Sequence, residues 1–346
     1  MPLSLPTTLK LVQLKQLAFK CGISTSGTKP VLIRRLQDEI NQSASEHEAV
    51  SKSKPVRILS IDMGIRNLAY CILDVPARNL SRAGTETSLE RNGIRSIAKK
   101  ALPSIHAWHR LSVSSPPIPA LPTDGEESTT KTPIPKEAFD PSTLSQTAYT
   151  LLRTQLLPAK PTHILIERQR FRSMGSKHIL EWTVRVNMFE SMIYAVLCTL
   201  KAEGLWDGSV RSVLPGKVGP FWVGEEGDLE VENAGKEGKG RKKVRKSTSA
   251  KIRNKGAKID LVRSWLESGD VVQLGNDEVK TMARRYVEKW DRAPGSRKGL
   301  AKVEGEEKMG KLDDLADCLL QGMAWVEWED NKKAVMKYGI EALLDP

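Results

Sequence analysis

RILSIDMGIRNLAY, residues 57–70, continues an apolar, β-branched run (Val56, Ile58, Leu59, Ile61) that stops on a carboxylate, Asp62. Gly64 follows two residues later, and a second apolar run, Leu68 to Val75, begins after only a tight connection. The pattern predicts a β-hairpin whose first strand carries an acid at its open end. Alone, such an aspartate is a turn residue or a cap. Three further features make it a candidate metal ligand. Glu167 ends another apolar run, HILIERQRF, and Asp313, Asp314 and Asp317 cluster in KLDDLADCLLQGMAW. The chain also carries 54 Lys and Arg against 42 Asp and Glu, a net charge of +12. That field favours a polyanion, nucleic acid above all.

At 346 residues, with 39% hydrophobic and 28% charged side chains, the chain has the composition of a soluble globular protein of two or three domains. No apolar run approaches the ~18 residues of a membrane span, so no membrane is expected. Cys21, Cys71, Cys198 and Cys318 stand singly, which argues against a zinc ribbon and for a reducing compartment. His106 and His109 flank Trp108 on a candidate strand and are read as structural. The first 37 residues hold six basic side chains and no acid, as an organelle-targeting leader does, yet they also show an ordered helical pattern.

That pattern places Leu11, Leu14, Leu17 and Ala18 on one face of a helix. After Cys21-Gly22, the stretch Ser26 to Pro30 caps a second helix, Val31 to Ile40. The order LxxLK…CGIS…SGTKPVLIRRL resembles a SAP module, a small helical nucleic-acid-binding unit, assigned to residues 1–41. Residues 42–54 read as a linker, and 55–346 as the main domain. A third strand is expected at Ser104–Val113, a helix at Pro141–Leu157, and a central strand at Pro161–Glu167. The longest helix candidate is Gly175–Leu200, a core helix or a subunit interface. Val210–Leu214 is a short strand; Ile259–Leu266, Glu278–Trp290 and Leu312–Trp328 are helices. Residues 114–140, rich in Pro, Ser and Thr, and the basic, glycine-rich 225–258 read as disordered or mobile insertions.

Asp314 and Asp317 are three residues apart and Asp313 and Asp317 four, so either pair shares a helical face. Acids in a first helical turn also suit the helix dipole, so the cluster alone says little. Its conjunction with two strand-end carboxylates says more. Clustered carboxylates repel one another unless cations neutralise them, and all-oxygen ligands suit Mg²⁺, with Mn²⁺ as substitute. Two such ions ~4 Å apart can activate a water and stabilise the leaving oxygen of a phosphodiester. No G-x-S-x-G or Walker motif competes, and no small-molecule cofactor is expected.

The order of elements resembles a ribonuclease H-like α/β fold, a mixed five-stranded sheet flanked by helices, in which such acids meet. SIDMGIRNLAYCILD, ILIERQRFRS and KLDDLADCLLQGMAW, behind a SAP-like start, resemble the fungal mitochondrial Holliday-junction resolvases, relatives of the bacterial RuvC-type resolvases. The resemblance implies a mitochondrial homodimer that binds a four-way DNA junction and nicks two opposed strands, with the helix at 175–200 as candidate interface. It implies Asp62, Glu167, Asp314 and Asp317 as catalytic metal ligands, with Asp313 as the alternative to Asp314. Arg66, Arg168, Arg170 and Arg172 would hold phosphates near the scissile bond. Lys242, Lys243 and Arg245, in the basic insertion, are added as DNA contacts on charge alone. The competing reading is a non-catalytic mitochondrial intron-splicing cofactor of the same fold, which has no need of the acids.

Overall fold

The computed structural model describes residues 2–49, 55–76, 101–113, 139–169, 179–224, 248–291 and 311–344. The hairpin forms as the alternation demands. β1 (Val56–Asp62) pairs antiparallel with β2 (Leu68–Val75), and β2 with β3 (Ser104–Leu111). β4 (His163–Glu167) lies parallel to β1 on its other side, followed by β5 (Ser209–Val213). The five expected strands gain a sixth, β6 (Gln273–Leu274), two residues parallel to β3, and the sheet order is β5-β4-β1-β2-β3-β6.

Side chains alternate between the faces of a strand, so each face collects its own helices. Leu59, Ile61, Ile72, Ile164 and Ile166 pack on one side against α3 (Pro141–Thr150) and α4 (Glu181–Ala202). Ile58, Cys71, Leu73, Trp108 and Leu165 face the other side. There they meet α5 (Pro215–Val223), α6 (Thr248–Ser268), α7 (Asp277–Asp291) and α8 (Leu312–Tyr338). Asp62 and Glu167 continue the α8-facing alternation of Ile58 and Ser60, and of Leu165. Both carboxylates therefore point toward the helix that carries the other acids.

At the N-terminus, α1 (Leu11–Lys20) and α2 (Lys29–Ala49) bury Leu14, Leu17, Leu32, Leu36 and Ile40. The same cluster contains Val335 from the end of α8 and Ile340 beyond it, so the small helical unit and the chain's last turns share one core.

Several expected boundaries move. α2 runs through Ala49, so the start of the expected linker is helix. α4 begins at Glu181, and Ile179 and Leu180 precede it in the open, at 41% and 71% exposure. The longest helix is α8, ten residues beyond the expected end at Trp328, because its second half faces the N-terminal unit. α5 opens directly after β5, with Pro215 at its first position where no amide hydrogen is needed. Most of the two expected insertions, 114–138 and 225–247, lies outside the described residues. Their ends are ordered: Asp140 caps α3 by accepting from the Thr143 amide at 3.0 Å, and 248–258 is the first half of α6.

Candidate active site

Ile61 of β1 is in register with Ile166 of β4, and the next residue on each strand is a carboxylate. Asp62 and Glu167 hydrogen-bond to each other. Burial, that bond, the charge of Glu167, and the charges of Asp317 and Asp314 hold the Asp62 carboxyl well above the usual carboxylate range.

α8 is pressed against the strands by two adjacent residues. Gln321 is buried, and its Nε2 donates to Ser60 Oγ (3.0 Å) and reaches the carbonyls of Ile61 (3.2 Å) and Leu165 (3.4 Å). At Gly322 a Cβ would stand 2.8 Å from Leu73 Cδ1 and 3.3 Å from Ser60 Cβ, so glycine lets the helix lie this close without displacing the Leu73 side chain. The first turns of α8 are thereby fixed over the strand ends.

Each acid there has its own cation. Arg110 of β3 donates from Nε to Asp314 Oδ2 at 3.0 Å and also to Asn67. Lys258 of α6 donates to Asp317 Oδ1 at 2.7 Å, and Lys255, one turn earlier, pairs with Asp313. Burial opposes ionisation of Asp313, but Lys255 and Lys311 outweigh it and bring its carboxyl below the usual range. At Asp314 burial wins, with the charge of Asp313 adding to it, and the carboxyl is raised despite Arg110.

A cleft of about 410 Å³ opens onto this end of the sheet, lined by Asp62, Arg66, Glu167, Arg168, Trp182 and Asp314 among others. Gly64 shapes its rim: a Cβ there would lie 2.8 Å from the Asn67 carbonyl, so the loop after β1 can fold tightly. The Arg66 guanidinium lies 4.8 Å over the Trp182 ring, which meets Phe139 edge-on.

The structure therefore brings Asp62, Glu167, Asp314 and Asp317 into one electrostatic group and leaves Asp313 outside the cleft, on Lys255. Arg66 and Arg168 are exposed beside it. Arg170, Arg172, Lys242, Lys243 and Arg245 lie outside the described residues. Among the described residues no three His, Cys, Asp or Glu side chains already stand as a closed metal cage. The donor set nonetheless fits a hard divalent cation: four carboxylates, no sulfur or imidazole, and mutual repulsion that an added positive charge would relieve.

A family model described as "Mitochondrial resolvase Ydc2 / RNA splicing MRS1" matches residues 58–335. The chain belongs to this family. A SAP domain model matches residues 6–41. Two relatives in the Ydc2/MRS1 family are named "Cruciform cutting endonuclease 1, mitochondrial". The one from Schizosaccharomyces pombe is 26% identical over 333 residues, covering 94% of this chain and 95% of that protein. The one from Saccharomyces cerevisiae is 22% identical over 348 residues, covering 94% and 84%. The crystal structure of the yeast mitochondrial Holliday junction resolvase Ydc2 matches with a TM-score of 0.52 and 25% identity, over 97% of this chain and 98% of that one.

At this candidate site, sequence reasoning missed Arg110, Asn67, Lys255, Lys258, Trp182, Gln321 and Gly322. Of these only the Gln-Gly pair inside an otherwise apolar helical run, LLQGMAW, gave a signal: an isolated helical glycine marks a close approach. The others are ordinary polar or aromatic residues whose roles come from tertiary placement.

Proposed function

We propose that this protein is a divalent-metal-dependent endonuclease that resolves four-way DNA junctions by paired, symmetric nicks, acting as a homodimer in mitochondria. The observation that carries the reading is the convergence of Asp62, Glu167 and Asp314 on one cleft of a basic protein, with the charge of Asp317 felt at Asp62. The names of the relatives, cruciform cutting endonucleases of mitochondria, support the substrate and the compartment.

In this reading those four carboxylates hold Mg²⁺ or Mn²⁺, which when bound supplies an activated water and charge neutralisation for in-line displacement at phosphorus. Asp314 rather than Asp313 is the helix-borne partner of Asp317, because Asp314 lines the cleft with Asp62 and Glu167. Arg110, anchored by Asn67, keeps Asp314 oriented. Arg66 and Arg168 stand at the mouth of the cleft to take backbone phosphates. Arg170 and Arg172, which follow Arg168 in the chain, and Lys242, Lys243 and Arg245 lie outside the described residues and are proposed as DNA contacts on charge alone.

The dimer face is assigned to α4. Val186, Phe189, Ile193, Leu197 and Leu200 face the core. The opposite face presents Val184, Ser191, Ala195, Cys198 and Thr199, exposed and uncharged. Small uncharged side chains let two helices approach closely, and a second copy of the same helix is the occupant proposed.

The test is a nuclease assay on a labelled four-way junction with Mg²⁺, beside linear duplex and RNA–DNA hybrid. Wild type is compared with Asp62→Asn and Asp317→Asn. The expected result is paired nicks on the junction alone, reduced at least ~100-fold in both variants while gel-shift binding persists. No cleavage of any substrate, together with tight binding of structured RNA, would favour the splicing role that the family description also contains.

A further inference from the structure

Two lysine–aspartate pairs lie one turn apart between the same helices, and they differ in what the aspartate does. Lys255 and Lys258 both project from α6 onto α8. Lys255 is 62% exposed and meets Asp313, which is outside the cleft. Lys258 is only 23% exposed and donates to Asp317, one of the carboxylates whose charge is felt at Asp62. The aliphatic stem of Lys258 runs beside Gly219 of α5, where even a Cβ would touch its Cε at 3.6 Å. Its ammonium is thus delivered to Asp317 along a defined path, whereas that of Lys255 swings in from solvent.

Arg110 neutralises Asp314 differently. It is held at two points, by Asp314 and Asn67, and its planar fork cannot turn away without breaking both contacts. A lysine ammonium is a compact charge on a rotatable stem, and Lys258 has Asp317 as its recorded acceptor. It occupies the electrostatic place that a divalent cation would take at that carboxylate.

Resting on the nuclease reading, we propose that Lys258 is an exchangeable counter-ion: it neutralises Asp317 while no divalent cation is bound, and transfers to a backbone phosphate of the DNA strand once one is. Lys255 stays on Asp313 throughout. Exchange links the two ligands. Cation binding frees an ammonium for the strand, and the strand, by holding that ammonium, removes a competitor from Asp317. Metal and junction therefore raise each other's affinity by the same factor.

The experiment measures Mn²⁺ binding to the full-length protein from the free-Mn²⁺ electron paramagnetic resonance signal, with and without junction DNA. Without DNA every protein is measured both with Asp62 intact and as Asp62→Asn, and the Asp62→Asn background is used with junction so that cleavage does not intervene. Lys258→Met, Lys255→Met and Lys258→Arg are compared with the parent, and melting temperatures are recorded to confirm folding. Solvent still screens a pair whose members are 23% and 34% exposed, so Lys258→Met without DNA should bind Mn²⁺ about two- to five-fold more tightly. The gain in Mn²⁺ affinity on adding junction should shrink by the same factor, and Lys258→Arg should restore it. Lys255→Met should change neither quantity by as much as half of that.

Equal effects of the two methionine variants would overturn the proposal, because Lys258 would then be only part of a general basic field. Unchanged or weakened Mn²⁺ binding in Lys258→Met would overturn it too, and leave the metal-dependent reading intact. No Asp317-dependent Mn²⁺ binding by wild type would sink both. If Lys258→Met melts well below its parent, Lys258→Gln, which keeps a polar group beside Asp317, serves in its place.

Discussion

Gln321 stands one turn beyond Asp317, and its three contacts tie α8 to β1 and β4 at the strand ends. Replacing it by Leu keeps the volume but leaves Ser60 Oγ without its side-chain partner in the core. A buried polar group without its partner costs ~1–3 kcal/mol, so Gln321→Leu should lower unfolding stability by that amount in a urea titration. Gly322→Ala sets two effects against each other. Alanine is worth about 1 kcal/mol more than glycine in a helix, while overpacking a core costs ~1–3 kcal/mol. With Leu73 Cδ1 at 2.8 Å and Ser60 Cβ at 3.3 Å from the new methyl, either the end of the Leu73 side chain or the helix must shift. The net expectation is a loss of ~1–2 kcal/mol, and a cleavage loss larger than the binding loss would show that the helix and its acids are what moves. At the mouth of the cleft the relevant residue is Trp182. Removing the ring under Arg66 gives up a cation–π contact of ~0.5–1 kcal/mol. Trp182→Ala should therefore raise KM for a junction about two- to five-fold and leave kcat nearly unchanged.

At the scale of elements, the strands and the acids at their ends were legible because burial on both faces forces continuous apolar runs, and a carboxylate ending such a run stands out. Asp62, Glu167 and the α8 cluster could be found that way. The sequence does not distinguish Asp313 from Asp314, since neighbours in a first helical turn differ in direction by only ~100°. Tertiary packing of α6 makes the distinction, by giving Asp313 to Lys255. Lys255 and Lys258 were invisible for a related reason: they close a basic, glycine-rich stretch whose composition reads as solvated loop, and α6 forms there because Ile259, Val262 and Trp265 find the core. The end of α8 was missed because its EDNKK segment looks like an exposed terminus, although Val335 beyond it completes another unit's core. The outer face of α4 offers its own probe. Of the four thiols only Cys198 is exposed; Cys21, Cys71 and Cys318 are buried, and burial pushes Cys21 up to about 12. A thiol reagent should label Cys198 alone in the native protein, and more slowly as protein concentration rises through dimer formation. Labelling that ignores concentration, with Ala195→Arg still sedimenting as a dimer, would move the interface off α4.

At the scale of the molecule, α8 connects the acids to the N-terminal helical unit. Asp314 lies in its first turn, and Val335, in the core shared with Leu14, Leu17 and Leu36, is 21 residues further on. At ~1.5 Å per residue that is ~30 Å, close to the ~34 Å of one turn of duplex DNA. The attachment is firm. Lys217 Nζ donates to the Gly22 carbonyl (2.7 Å), Asn331 Nδ2 to that of Lys20 (2.6 Å), and Ser43 Oγ to Glu329 (2.5 Å). Phe221 of α5 packs between Phe19, at a tilt, and Trp328, edge-on. A SAP unit held this way acts as a fixed arm rather than a tethered anchor, so its exposed Lys10 and Arg34 can reach a duplex only at a set distance from the cut. Junctions whose arms are trimmed from about 20 to about 6 base pairs beyond the cleavage point should then lose affinity abruptly once the arm falls short of one turn. The double variant Lys10→Gln/Arg34→Gln should bind long-armed junctions as weakly as wild type binds short-armed ones, with a shallower salt dependence, since two phosphate contacts are gone. Point variants are the right tool, because deleting residues 1–41 would bare Val335 and Ile340. A smooth decline with arm length, unchanged in the variant, would mean that the unit contributes only general charge.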